Sequence, residues 1–148
     1  LITMAEDGVH TFAAGDFGFT DSTDAAAASG ANALAAVKIS SLPIDGELRF
    51  DGVAITPAET VAGFEVSAAD LAAGKLTFVP VADSNGTGYA SFDFQVRDDG
   101  GTANSGVDLD QSVNTIAFDV TAVNDAPTAV ITLTRRLTRS AANAGRRL

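Results

Sequence analysis

The side chains with chemical reach in this chain are carboxylates. There are nineteen Asp and Glu against nine Lys and Arg, with one histidine and no cysteine in 148 residues. They fall into groups next to short apolar runs: Glu6-Asp7, Asp16, Asp21 and Asp24, Asp98-Asp99, and Asn124-Asp125. Carboxylates brought together on loops repel one another unless a cation sits among them. An all-oxygen donor set of Asp, Asn and carbonyl groups selects Ca²⁺ over softer metals. The same residue types are what turns need, so turn formation and solvated charge explain the groups equally well by spacing alone. Asp108-x-Asp110-x-Ser112-x-Asn114, with Asp119 in twelfth place, has the outline of an EF-hand loop. Val113 stands where that loop requires Gly, and no helical pattern flanks it, so Asp108 and Asp110 are expected to be loop residues.

Charge is unevenly spread. Lys38, Arg49, Lys75 and Arg97 are the only basic residues before position 135, which leaves residues 1–134 at −15, whereas Arg135 to Leu148 carries five arginines. A body this acidic repels phosphate backbones and anionic lipid, so nucleic acid and membrane surfaces are not expected partners. Mean hydropathy is +0.19, yet no apolar run approaches the ~20 residues of a spanning helix. The start, Leu1 to Glu6, lacks the pattern of a signal peptide, and the chain is expected to be a piece of a longer protein. Without cysteine there are no disulfides or thiolate metal sites. Catalytic patterns are missing too: there is no Gly-x-Ser-x-Gly elbow and no phosphate loop, and His10 reads as a strand residue beside Thr11 and Phe12. The expectation is that the chain is not an enzyme. Asn85-Gly86-Thr87 matches a glycosylation sequon but reads better as a turn.

The elements that must position these groups are strands. Ala90, Phe92, Phe94 and Val96 alternate with polar residues at period two, and Ile116, Phe118, Val120 and Ala122 do the same. Leu76–Val79, Val9–Phe19, Ala36–Leu42 and Glu47–Phe50 give further strands. Asp45-Gly46, Asp51-Gly52, Asn85-Gly86 and Asp99-Gly100-Gly101 supply turns. Ser67 to Gly74 predicts one or two helical turns capped by Ser67, and residues 24–36 predict a loop. The pattern is that of an all-β, Greek-key β-sandwich of about seven strands, of the immunoglobulin-like kind.

Val120-Thr121-Ala122-Val123-Asn124-Asp125-Ala126-Pro127 resembles the closing segment of cadherin-like repeats, in particular the tandem repeats of giant bacterial secreted and surface adhesins. Met4-Ala5-Glu6-Asp7 resembles the acidic start of such a repeat. Asp21-x-x-Asp24 with Gly30-x-Asn32 resembles its calcium loop with an insertion, and Phe94 to Gly101 its late strand and turn. The resemblance covers residues 1–127, leaving 128–148 as the start of a following repeat and a basic tail. It implies a calcium-binding structural or adhesion repeat, extracellular or at the cell surface, that stiffens a large protein by contact with neighbouring repeats of the same chain. It also implies Ca²⁺ ligands at Glu6, Asp21, Asp24, Asp98, Asp99, Asn124 and Asp125. Ala122 and Ala126 replace the outer Asp and Asn of the animal Asp-x-Asn-Asp-Asn linker, which implies one or two ions in place of three. An alternative is a module that binds carbohydrate, a host protein or another cell-surface ligand. The chain has no Trp and a single Tyr, Tyr89, to stack on a sugar.

Overall fold

Phenylalanines placed at every second position build the centre of the molecule. A computed structural model describes residues 1–21 and 30–133. Among these it has nine strands: β1 (Ile2–Ala5), β2 (His10–Thr11), β3 (Leu34–Ile39), β4 (Glu47–Phe50), β5 (Val53–Ala54), β6 (Phe64–Ser67), β7 (Leu76–Val79), β8 (Gly86–Asp98) and β9 (Asn114–Thr121). Two short helices, α1 (Pro57–Thr60) and α2 (Ala68–Ala72), lie between β5 and β7. The strands form a five-stranded sheet in the order β1-β9-β8-β3-β6 and a four-stranded sheet in the order β2-β7-β4-β5. The fold is all-β.

The two sheets face each other through aromatic rings. Phe78 of β7 stacks on Phe118 of β9 with centroids 4.0 Å apart, while Phe12 meets Phe92 of β8 edge-on at 5.6 Å. Six of the nine phenylalanines are buried here, with Val37, Ile39, Leu48, Val66, Leu71 and Leu76 around them. Each such side chain contributes about 1.5–3 kcal/mol by leaving water, and each well-placed ring pair adds about 0.5–1.5 kcal/mol.

β4, β7 and the alternating registers of β8 and β9 agree with the sequence pattern. Val9–Phe19 does not form one strand. Only His10 and Thr11 pair, with β7, and the chain then turns through a 3₁₀ segment, Ala14–Phe17. Gly15 gives this stretch little reason to stay extended, and the turn lets both Phe12 and Phe17 enter the core. Three strands beyond the runs named from the sequence, β1, β5 and β6, bring the number above seven. β4 and β5 are joined by Asp51-Gly52, both at positive φ (51° and 81°), the backbone a two-residue hairpin favours. α2 is capped as its sequence predicts: Ser67 Oγ accepts from Asp70 N at 3.1 Å.

β1 sets the geometry of one edge. It runs parallel to β9, with Ile2 opposite Phe118 and Ala5 opposite Thr121. Ile2 and Met4 pack against the core, and Thr3 and Ala5 are exposed. No helix among the described residues is long and apolar enough to cross a membrane.

Candidate metal centre

Where β1 ends, the chain buries a carboxylate. Glu6 N continues the parallel ladder by donating to Thr121 O at 3.0 Å. Its side chain is 5% exposed, the one buried charged group among the described residues. Oε2 accepts from Asn85 Nδ2 at 2.8 Å, and Oε1 accepts from Val123 N at 2.7 Å. These donors, that of Asn85 foremost, hold the Glu6 carboxyl below the usual glutamate range despite its burial. One side chain thus ties together the exit of β1, the turn before β8 and the exit of β9.

Other carboxylates crowd this end. The Asp125 carboxyl is pushed above the usual aspartate range, first by the negative charge of Asp7, then by desolvation, then by the charges of Asp83 and Glu6. Three of the four described Lys and Arg side chains are paired elsewhere: Arg49 to Glu47 at 2.8 Å, Lys75 to Asp70 at 2.8 Å, and Arg97 to both Glu65 and Asp108 at 2.7 and 2.9 Å. Glu6 accepts two hydrogen bonds, so about two of its roughly four lone-pair sites are still available.

Asp21, Asp98 and Asp99 lie at the opposite end of the sheet. β8 is thirteen residues long, so Asn85 before it and Asp98 at its far end are separated by roughly 40 Å at about 3.3 Å per residue. At the Asp98 end, Asp21 Oδ2 accepts from Asn32 N at 2.8 Å. Asp99 Oδ1 accepts from Ala33 N at 2.8 Å, and Asp98 Oδ1 accepts from Gly100 N at 2.8 Å. Asp21 and Asp98 line an open cavity of about 270 Å³ together with Asp108, Asp110, Phe19 and Val96. Asp108 is paired with Arg97. Asp110 caps Ser112 N and holds Asn114 Nδ2, each at 2.8 Å.

The seven expected ligands therefore do not converge on one point. Glu6, Asn124 and Asp125 share one end, Asp21, Asp98 and Asp99 the other, and Asp24 lies outside the described residues. The reason is topological: β8 leads directly from one acidic group to the other, and its thirteen residues hold them apart. The structure adds Asp7, Asp83 and Asn85 to the first end and Asp108 and Asp110 to the second. Asp7 adjoins Glu6 in sequence, and Asp108 and Asp110 belong to the EF-hand outline, whereas nothing local in the sequence marks Asp83.

The donor chemistry at both ends is hard oxygen, the kind Ca²⁺ takes. Among the described residues no three His, Cys, Asp or Glu side chains lie close enough to hold a metal by themselves. A complete shell at either end would need main-chain carbonyls, the amides of Asn85 or Asn124, water, or oxygens from an adjoining module. His10 and Asp16, by contrast, serve the fold. His10 Nε2 lies 3.2 Å from Asp16 Oδ2, and its ring packs edge-on against Phe12 at 4.8 Å.

Comparison with protein families, curated proteins and solved structures finds no match for this chain.

Proposed function

We propose that the chain is a calcium-binding structural repeat, a Greek-key β-sandwich of cadherin-like type from a large bacterial secreted or surface-attached protein. The observation that carries this reading is the crowding of Glu6, Asp7, Asp83 and Asp125 beyond the ends of β1 and β9, where their mutual repulsion lifts the Asp125 carboxyl. A bound Ca²⁺ would supply the positive charge that no Lys or Arg ion pair among the described residues brings to these carboxylates. One or two of these carboxylates would hold it, with main-chain carbonyls, the amide of Asn85 or Asn124, water or oxygens of an adjoining repeat completing the shell, and one or two of Asp21, Asp98, Asp108 and Asp110 would serve the opposite end in the same way. Acidic groups at both ends suit a module that meets a neighbour at each junction, every junction drawing oxygens from two repeats.

The strand arrangement suits a spacer. β1 and β9 are adjacent and parallel, so force applied at the start of β1 and the exit of β9 shears their hydrogen bonds together and does not peel them one at a time. Glu6 strengthens that seam by binding both Asn85 and Val123. Extracellular modules bind Ca²⁺ at about 10⁻⁴ to 10⁻³ M. At about 2 mM Ca²⁺, each such site adds roughly 0.6–1.8 kcal/mol to stability, a rise of a few degrees in melting temperature for a domain of this size. Melting the chain in chelator, in calcium and in magnesium tests the proposal. The expected result is a rise specific to calcium, and three superimposable curves would refute it.

A further inference from the structure

Four residues beyond the last strand repeat the first strand. Val130-Ile131-Thr132-Leu133 matches Leu1-Ile2-Thr3-Met4 position by position, with Ile and Thr identical at the centre and aliphatic side chains at both flanks. Their surroundings are opposite. β1 is paired to β9 and packs Ile2 and Met4 on the core. Val130, Ile131 and Leu133 are 91%, 80% and 91% exposed and belong to no strand. A strand-forming segment with unpaired backbone and exposed apolar side chains is a template for pairing with another chain.

Its own molecule is not a suitable host. Residues 122–129 are all that separate β9 from Val130, and a strand returning parallel to its predecessor needs a crossover of about a dozen residues or more. A second copy imposes no such limit.

We propose that Val130–Leu133 is an exchange strand that takes the β1 position of a second copy of this chain, parallel to that copy's β9. By the register of β1, Ile131 lies opposite Phe118 and Leu133 opposite Val120. Ile131 and Leu133 then face the core, as Ile2 and Met4 do, and Val130 and Thr132 face solvent. The exchange loses the Glu6 bonds to Asn85 and Val123. Because donor and acceptor surfaces differ, the contact is head-to-tail and does not close, giving dimers and longer chains. The proposal rests on the sheet edge and not on calcium.

The test is sedimentation of the full chain from micromolar to millimolar concentration, after incubation at the foot of the melting transition, where β1 can release. Association that rises with concentration and persists in chelator is expected. Ile131→Ser with Leu133→Ser should weaken it at least tenfold, and Val130→Ser with Thr132→Ser should change it less than about twofold. All four positions are exposed in the monomer, so neither double variant should shift the melting temperature. Monomers at every concentration, equal loss in both double variants, or association abolished by chelator would each overturn the exchange. Monomers whose melting still responds to calcium would overturn it while leaving the calcium reading intact.

Discussion

Glu6 accepts from Asn85 Nδ2 and Val123 N while nearly buried, and its depressed pKa fixes the direction of its effect on stability. A carboxylate whose folded pKa lies below its unfolded one contributes fully above the ordinary glutamate value of about 4.3 and loses that contribution as pH falls through the folded value. Glu6→Gln should therefore lower the melting temperature by several degrees at neutral pH, and the gap from the parent should close as the solution is acidified below about pH 4. Asp125 has the opposite sign. Its raised pKa means that ionisation costs stability above the folded value and nothing below the unfolded one. Asp125→Asn should thus raise the melting temperature at neutral pH in chelator and low salt, and should shrink the response to calcium. Thermal melts of the two variants across pH, with and without calcium, check both signs.

At the scale of elements, the aromatic seam between the sheets and the turns that feed it should respond to substitution most sharply. Phe118→Ala removes the partner of Phe78, Phe12 and Phe92 and should cost about 3–5 kcal/mol in denaturant unfolding. Gly46 has φ +81°, and a Cβ there would lie 2.7 Å from the Phe78 ring. Gly46→Ala should cost about 1–3 kcal/mol from the backbone alone, with displacement of the ring adding to it. These elements were legible to different degrees. Glu47–Phe50 and Leu76–Val79 coincide with β4 and β7 because alternation and a flanking Gly or Pro mark them locally. β6 is four residues beside a helical signal, and Phe64 and Val66 look the same in a loop as in a strand until β3 pairs with them. The acidic groups were legible as groups but not in their placement. Glu6 reaches Asn85 and Val123 across 79 and 117 residues, separations that no local spacing encodes, and the length of β8 decides which carboxylates can meet.

The whole molecule is a two-sheet body with an acidic group at each end, joined by the long strand β8. Under the proposed function, cations sit at the two ends and not on the sheet faces. Acidic residues outside the two groups, such as Asp45, Asp51 and Glu59, provide an internal control, since simple attraction to a body with a charge of −15 over residues 1–134 would affect them as well. The most direct test is a calcium titration of the labelled chain followed residue by residue in amide NMR spectra. The account predicts saturable shifts at residues 5–8, 83–86 and 121–125, together with a second set at residues 20–21 and 98–110, while Asp45, Asp51 and Glu59 stay still. Shifts spread evenly over all acidic residues without saturation, or no shifts at millimolar calcium, would contradict it.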